Sequence, residues 1–425
     1  LRHMTPVPAD ELHKVRYAIP NSCVIKPDST TTKLRVVFDA SAKSTTGISL
    51  NDLQAIGPVI QPDLLHLWLH FRTQTVVVTA DIAKMYRQIW VADSDTWMQC
   101  ILWREDARDT AQMYRLRTVT YGEASSSYLA CRALYEAGEE VRSSNPEIAD
   151  AIQRSFYVDN LSLGAATPDE LRVLSCGIER ALMNRGMPLR KWASNVPAVV
   201  HDVPEEHLDS PVQIGDRQAI KMLGYVVGDY NDSFIFRLNL KHDKGLLSDT
   251  RMPTKREVLR TLMLVYDPLG LVGNFLMFMK ILLQKIWRAG YSWDQQIDQD
   301  CAEKWLKWIS ALPSLQSVRI PRCYRVKTSA AVRNVQLHIF CDASENGMAA
   351  VAYFRFEEDN TIECSLIGSK TRVSPLKFLS IPRLELQATV IGVRLATSIV
   401  TYHRMKITRR IFWTDSRNVM SWLKS

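Results

Sequence analysis

The chain has 425 residues, of which 46% are hydrophobic and 23% charged, with a formal net charge of +8. This composition is ordinary for a globular protein, and the length allows two or three domains with a sizeable core. The basic charge is compatible with a polyanionic partner but does not require one. The eight cysteines form no C-x-x-C pair, which argues against a zinc ribbon or a redox motif.

The sequence contains no evident export or membrane signal. Its N-terminal residues lack the apolar run of a secretory signal. The most hydrophobic stretch, residues 262–283, contains Asp267, Pro268, Gly270 and Lys280, so we interpret it as a loop between two buried helices. We therefore expect an intracellular protein with reduced cysteines, without a signal peptide or a transmembrane segment.

The first predicted strand, residues 33–39, begins with two basic side chains. Lys33 and Arg35 lie two positions apart and so share one face of the strand. They could grip phosphates, or they could be solvated charges on a strand edge. A helix at 63–72 follows, with Asp63 as its N-cap, and the next β-branched run ends at Asp81.

A second acidic position follows a series of short elements. We predict a hairpin over 98–103 and 112–116, and Gly122 then precedes a serine-rich helix start, a weak signal for anion binding. Residues 155–163 read as two strands joined by a tight turn with Asp159 at its tip.

Asp81 and Asp159 together suggest a metal site. Two strands that present aspartates side by side match the needs of two-metal phosphoryl transfer, in which the ions lie about 3.5–4 Å apart. A single aspartate at a strand end is ordinarily a turn residue, so this hypothesis depends on the rest of the chain.

The C-terminal half repeats this pattern at a second place. Residues 253–312 are predicted to be mainly helical, with Trp305 and Trp308 at the spacing of a buried helix face. A β-rich unit follows. Asp342 ends its first strand, Glu385 lies in the first turn of a helix, and Asp415 ends a later strand.

In this order the motifs resemble a retroelement reverse transcriptase followed by a type 1 ribonuclease H. More specifically, five segments look like the Pao/BEL group of LTR retrotransposon polyproteins: 33–41 (KLRVVFDAS), 49–52 (SLND), 189–192 (LRKW), 266–270 (YDPLG) and 381–386 (IPRLEL). The resemblance covers essentially the whole chain, from Arg35 to Asp415.

The resemblance implies an α+β architecture. We expect a right-hand polymerase of fingers, palm and thumb, a helical connection and a partial RNase H-like α/β domain. The implied division is fingers and palm at 1–230, a largely helical thumb or connection at 231–330, and the RNase H-like domain at 331–425.

The resemblance also implies metal ligands. Asp81 and Asp159, helped by the backbone carbonyl of Ile82, would bind two Mg²⁺ or Mn²⁺ ions for nucleotidyl transfer. Asp342, Glu385 and Asp415 would hold two further ions for hydrolysis of RNA in an RNA–DNA hybrid, which is recognised by its shape and 2′-hydroxyls.

Further roles concern the nucleotide and the primer. Arg35 would contact the triphosphate, with Lys33 a weaker candidate, and Lys191 is a candidate to protonate the leaving pyrophosphate. Tyr86 would exclude a 2′-hydroxyl by its bulk. The remaining implied positions are Tyr121 and Gly122 in the nucleotide pocket, and Leu223, Gly224 and Tyr225 as the primer grip.

The sequence departs from the family pattern at two places in the polymerase region. Asn160 replaces the usual second aspartate of the turn, which removes one negative charge beside the metals and should weaken divalent binding. The Ser-Pro that usually follows the pocket glycine is replaced by Ser126-Ser127-Tyr128. Polymerase competence therefore remains open.

The family's RNase H domains use a fourth acidic residue and a histidine-bearing loop beyond the position of Ser425, so we expect little RNase H activity from these 425 residues.

Two alternatives remain open. One is a catalytically degenerate remnant that still binds nucleic acid. The other is an unrelated metal-dependent nuclease, which would leave residues 33–230 unexplained. The expected partners are an RNA template, a DNA or RNA primer, an RNA–DNA hybrid, deoxynucleoside triphosphates and other parts of the polyprotein. The expected location is cytoplasmic, in a virus-like particle.

Overall fold

The described chain contains runs of strands separated by single helices or groups of helices. The structure, a computed structural model, describes residues 3–25, 33–210, 212–214, 217–222, 225–228, 232–236, 238, 252–324, 334–358, 361–403 and 405–424. The strands are β1 (Met4–Pro6), β2 (Asn21–Ile25), β3 (Leu34–Phe38), β4 (Val76–Ile82), β5 (Cys100–Trp103), β6 (Gln112–Leu116), β7 (Phe156–Tyr157), β8 (Asn160–Ala165), β9 (Leu189–Ser194), β10 (Val212–Ile214), β11 (Arg217–Met222), β12 (Tyr225–Gly228), β13 (Ser233–Ile235), β14 (Arg319–Pro321), β15 (Asn334–Ala343), β16 (Gly347–Glu358), β17 (Thr361–Val373) and β18 (Arg409–Trp413). The helices are α1 (Leu50–Leu53), α2 (Leu64–Phe71), α3 (Ser126–Arg142), α4 (Pro146–Arg154), α5 (Pro168–Met183), α6 (Lys255–Leu262), α7 (Gly273–Arg288), α8 (Gln299–Ala311), α9 (Ile381–Tyr402) and α10 (Arg417–Trp422).

The N-terminal sheet has the strand order β7-β8-β4-β9, and all of its neighbours are antiparallel. Residues 76–80 of β4 are all buried, which explains why this central strand reads as a continuous β-branched run. Helix α5 packs against this sheet. Its start is fixed by a capping box between Thr167 and Glu170, with Pro168 in the first turn.

The C-terminal sheet has the order β17-β16-β15-β18, in which β18 is parallel to β15. Alternate residues of β15 are buried, as a half-buried strand requires. Helix α9 covers the buried face, and Ala388 and Ile399 of this helix share a core with Leu337 and Phe354 of the sheet.

Helix α2 and two buried arginines join the two halves of the chain. Trp68 belongs to the same core cluster as Tyr225 and the Trp305 of α8, whereas the adjacent Leu69 belongs to the core of the C-terminal sheet. Arg72 Nη1 donates to the carbonyl of Ile367 over 2.7 Å. Since an unpaired buried polar group is costly, this contact holds the sheet in place against α2.

Arg322 makes the reciprocal contact from the C-terminal side. Its Nη1 donates to the Phe71 carbonyl over 2.6 Å, and its Nε donates to Asp232 Oδ1 over 2.7 Å. Both guanidinium groups are buried almost completely. The two halves are therefore connected by specific polar contacts as well as by apolar packing.

Most of the predicted elements are present in the structure. Asp63 caps α2, the hairpin β5–β6 and the turn between β7 and β8 lie where predicted, and Trp305 and Trp308 are core residues. Among the described residues, α9 is the one helix whose length and mean hydropathy of 1.2 would allow a membrane span; half of that window is buried, as in a core helix.

Candidate active sites

The aspartate pair, Asp81 and Asp159, lies at one end of the N-terminal sheet. Asp81 is in register with Asn160 across β4 and β8, and the Ile82 N–H donates to the Asp159 carbonyl over 2.8 Å. Val158 holds the turn between β7 and β8 at φ 56°, a strained conformation for a β-branched residue. The strand pairing thus brings together the two carboxylates that the sequence predicted separately.

The two carboxylates interact with each other and with donors from the same chain. Burial, and then the nearby Asp81 carboxylate, raise the pKa of Asp159. Lys191 Nζ forms an ion pair with Asp81 Oδ2, and Asn160 Nδ2 donates to Asp159 Oδ1 over 2.7 Å. Two close carboxylates suit a divalent cation, which would have to compete with both donors for their oxygens.

Lys191 reaches Asp81 through an irregular strand pairing. The register between β4 and β9 shifts between Thr79 and Asp81, and Lys191 itself has a φ of 55°. Single residues in this left-handed conformation are uncommon and often occur at functional sites. The sequence predicted a basic residue near the site but not its contact with a metal-ligand candidate.

The loop around Gly122 is held close to β3. Gly122 has a φ of 99°, and a Cβ atom there would lie 2.3 Å from the Phe38 carbonyl oxygen, so only glycine fits. The rings of Tyr121 and Phe38 are 5.2 Å apart. The Arg87 guanidinium lies over both rings, at 5.1 Å and 5.3 Å, and is a contact that sequence reasoning missed.

The unusual residues after Gly122 have local partners. Ser126 is buried and its hydroxyl donates to the Thr120 carbonyl over 2.5 Å. Tyr128 packs so closely against Gly57 that a Cβ atom there would lie 2.5 Å from its ring. The hydroxyls of Ser127 and Tyr86 lie 3.4 Å apart. Ser126, Ser127 and Tyr128 are thus accommodated by packing and local polar contacts.

Arg35 lies in β3 and pairs with Val24 of β2, whereas Lys33 directly precedes the strand; both side chains are exposed. No hydrogen bond or ion pair between described residues joins either of them to the aspartate pair. Their proposed contact with a triphosphate stays a prediction.

The predicted primer grip is described only in part, because Leu223 and Gly224 lie outside the described residues. Tyr225 is 2% exposed, and its hydroxyl donates to Asp267 Oδ1 over 2.8 Å. Its ring packs against Trp68 and Phe234. Any contact of Tyr225 with a primer would therefore have to come from its backbone.

The carboxylate triad, Asp342, Glu385 and Asp415, forms at the edge of the C-terminal sheet. One oxygen from each carboxylate lies within 4.8 Å of the other two. Glu385 is buried, and its Oε2 has no hydrogen-bond partner in the part of the chain that the structure describes. Burial, followed by Asp342 and Asp415, raises the pKa of Glu385. A buried oxygen without a donor among three converging carboxylates fits a divalent cation.

Two polar residues that sequence reasoning did not assign connect α1 to the Gly122 loop. Asn51 Nδ2 donates to the Gly122 carbonyl over 3.1 Å, and its Oδ1 accepts from the Ala124 N–H over 2.7 Å. Gln54 Nε2 donates to Glu123 Oε2 over 2.8 Å. The 49–52 motif was visible in the sequence, but only the folded chain shows its partner about seventy residues away.

Residues 254–416 match the family model of the Pao retrotransposon-like RNaseH-like domain. The matched residues are similar to that domain, and they include the carboxylate triad as well as α6, α7 and α8. The Lys280 side chain of α7 donates to Thr371 of β17 over 3.0 Å, so α7 contacts the C-terminal sheet.

Two solved structures are similar in fold to this chain. One is a foamy viral protease–reverse transcriptase with double-stranded DNA, at 13% identity and a TM-score of 0.59, covering 100% of this chain and 62% of that chain. The other is a foamy viral protease–reverse transcriptase with an RNA/DNA hybrid, at 13% identity and a TM-score of 0.54, covering 96% of this chain and 48% of that chain. No curated protein matches the chain.

The fold is therefore the mixed α+β fold of retroviral reverse transcriptases, with the RNase H-like domain toward the C-terminus. The chain spans between about half and two thirds of the length of these structures.

Proposed function

We propose that the chain is the reverse transcriptase module of a Pao/BEL-type retrotransposon polyprotein, an RNA-directed DNA polymerase followed by an RNase H-like domain. The fold and the matched RNase H-like domain support this proposal. The observation that carries it is the register of β4 and β8, which brings Asp81 next to Asp159 at one end of a sheet.

The aspartate pair would bind the catalytic metal ions. Asp81, Asp159 and the Ile82 carbonyl are the proposed ligands. Two divalent ions, Mg²⁺ or Mn²⁺, would supply activation of the primer 3′-hydroxyl and neutralisation of the triphosphate charge. Lys191 would leave Asp81 when the site is loaded and then be free to donate a proton to the departing pyrophosphate.

The nucleotide would bind between β3 and the Gly122 loop. In this proposal Arg35, and more weakly Lys33, bind the triphosphate, while Tyr121 and Gly122 line the pocket. Tyr86 would restrict the space at the 2′ position of the sugar. The close fit of Gly122 against Phe38 supports a fixed pocket wall.

The carboxylate triad would hold two further divalent ions for hydrolysis of the RNA strand in an RNA–DNA hybrid. The convergence of Asp342, Glu385 and Asp415 supports this role.

The proposed division is fingers and palm at 1–230, thumb or connection at 231–330 and the RNase H-like domain at 331–425. The primer grip would include Leu223, Gly224 and Tyr225.

The substrates in this proposal are deoxynucleoside triphosphates, an RNA template and a DNA or RNA primer, in the cytoplasm within a virus-like particle. The foamy viral proteins of similar fold were solved with double-stranded DNA and with an RNA/DNA hybrid.

A catalytically degenerate nucleic-acid-binding remnant is the second candidate. Asn160 favours it, because this residue contributes a donor to Asp159 where the family pattern has a further carboxylate. The remnant would retain the fold and the basic net charge without nucleotide transfer.

Primer extension on an RNA template separates the two candidates. The full chain is incubated with a DNA primer, the four nucleotides and either Mg²⁺ or Mn²⁺, and binding to the same duplex is measured at several salt concentrations. Extension supports the polymerase. Salt-sensitive binding without extension in either metal would overturn it in favour of the remnant.

A further inference from the structure

Asn51 of α1 connects the chain after β3 to the turn at Gly122. Its backbone N–H donates to the Ala40 carbonyl over 3.0 Å, and its side-chain Nδ2 donates to the Ser41 hydroxyl over 2.9 Å. The same Nδ2 donates to the Gly122 carbonyl over 3.1 Å, and Oδ1 accepts from the Ala124 N–H over 2.7 Å. One residue therefore holds the end of β3 and both sides of the Gly122 turn.

The Gly122 turn has little other polar support. Among the described residues, no backbone–backbone hydrogen bond involves Tyr121, Gly122 or Ala124. The next N–H along the chain, that of Ser125, also donates to α1, at Gln54 Oε1 over 3.3 Å. Since backbone polar groups need partners, the side chains of α1 fix this turn where the backbone itself does not.

Asn51 is itself held in place within the chain. A capping box between Ser49 and Asp52 fixes the start of α1, and the side chain of Leu50 is buried in the same core cluster as Phe38 of β3. The amide of Asn51 is thus presented to the Gly122 turn by a firmly anchored segment, before any ligand binds.

We propose that Asn51 is a positioning residue for nucleotide binding, which keeps the Gly122 turn at a fixed distance from β3. This role rests on the proposed function, in which the nucleotide lies between these two segments. Asn51 acts through Tyr121 and Gly122, which line the proposed pocket. Without its side chain the turn can shift, and the nucleotide must then order the pocket as it binds, which lowers its affinity.

Nucleotide binding can be measured without nucleotide transfer. The full chain is mixed with Mg²⁺, a primer–template whose primer ends in a dideoxynucleotide, and increasing concentrations of the deoxynucleoside triphosphate that pairs with the next template base. The complex that survives a heparin challenge gives the half-saturating nucleotide concentration. We expect Asn51→Ala to raise it about tenfold, as for the loss of one or two hydrogen bonds, and to keep primer–template affinity within about twofold.

An isosteric variant tests which hydrogen bonds matter. Asn51→Asp keeps the side-chain shape and can still accept from the Ala124 N–H, but it cannot donate to the Gly122 carbonyl or to Ser41. It should fold like the unchanged protein, which thermal unfolding checks, and should also raise the half-saturating nucleotide concentration about tenfold.

Asn195→Ala is the matched control. Asn195 has the same kind of contacts, because its Oδ1 accepts from the Val77 N–H over 2.9 Å and its Nδ2 donates to the Thr75 carbonyl over 2.8 Å. These contacts lie at the end of β4 opposite to Asp81. The control should lower the thermal unfolding temperature and leave the half-saturating nucleotide concentration within about twofold.

The role of Asn51 and the pocket itself can fail separately. If the unchanged protein binds the nucleotide and both Asn51 variants bind it equally well, Asn51 has no positioning role and the pocket stands. A shift in Asn195→Ala as large as that in Asn51→Ala would also contradict the role, since general loss of stability would then explain both. If the unchanged protein shows no nucleotide-dependent complex, the proposed pocket is wrong and the role of Asn51 falls with it.

Discussion

The two acidic sites of this protein differ in how their charge is compensated. In the aspartate pair, Lys191 binds Asp81 and Asn160 donates to Asp159, so each carboxylate has a donor from the chain. In the carboxylate triad, the Ala343 N–H donates to Asp342 Oδ1, but Glu385 Oε2 has no hydrogen-bond partner among the described residues. A metal ion would have to displace donors at the aspartate pair, whereas at the triad it would contact an oxygen that has no donor. Similar ligands would therefore differ in how easily they take up a metal ion.

Removal of one member of the aspartate pair should have the largest effect. We expect Asp159→Ala to reduce primer extension by more than the ~10²–10³-fold that loss of one transition-state donor typically causes, because a metal ligand is removed. Asp342→Ala in the triad is the matched control and should leave extension within a few-fold. If Asp159→Ala retains primer extension, the assignment of Asp159 to the polymerase site is wrong.

Acid should destabilise the C-terminal part of the protein through His403. Burial lowers the pKa of His403 to about 3, from 6.5, with Arg72 adding to the shift. The folded form keeps this histidine neutral. Its contribution to the free energy of unfolding is therefore fully present above pH 6.5 and is lost as the pH falls toward 3. At pH 5 the loss is about 2 kcal/mol, at 1.36 kcal/mol for each pH unit below 6.5.

Denaturant unfolding at pH 7 and pH 5 measures this loss. His403→Phe keeps a ring between Tyr324 and Phe354 and should remove about that much of the pH dependence. His13→Phe, at an exposed position, serves as the control and should not change it. An unchanged pH dependence in His403→Phe would assign the acid sensitivity to the carboxylates instead.

Restoring a carboxylate at position 160 should make the two sites more alike. Asn160→Asp removes the donor to Asp159 and adds negative charge beside it, which favours divalent binding. We expect extension at limiting Mg²⁺ to rise about tenfold, which corresponds to one charge-assisted hydrogen bond. Asn160→Ala removes the donor without adding charge. If it raises primer extension as much as Asn160→Asp, the absence of a negative charge at position 160 is not what limits extension.

Neutralising Glu385 should have a smaller effect, visible without metal. Glu385→Gln removes a buried charge that two carboxylates repel, and we expect the metal-free protein to gain about 1 kcal/mol in unfolding free energy. The same change should abolish stabilisation by Mg²⁺, which follows from binding to the folded state. Thermal unfolding with and without Mg²⁺ measures both effects, with the exposed Glu345→Gln as control. If metal-free Glu385→Gln has a lower unfolding free energy than the unchanged protein, the Glu385 carboxylate is not a destabilising charge in the triad.

Much of the local structure was predictable. The helices begin where Asp63 and Thr167 cap them, and the strands follow β-branched or alternating runs. These signals act over a few residues, so they are readable without knowledge of the fold. The contact between the two halves could not be predicted in the same way. Trp68 and Leu69 are adjacent in sequence but pack in different cores.

The sequence by itself determined the order of the elements and the presence of acidic residues at strand ends and at one helix start. Only the tertiary structure decided which donors meet those residues and what joins the two halves. Lys191 with Asp81, Arg322 with Phe71 and Asn51 with Gly122 are pairs of residues 71 to 251 positions apart. No local periodicity encodes such pairs, because each forms only after the strands and helices around it have packed.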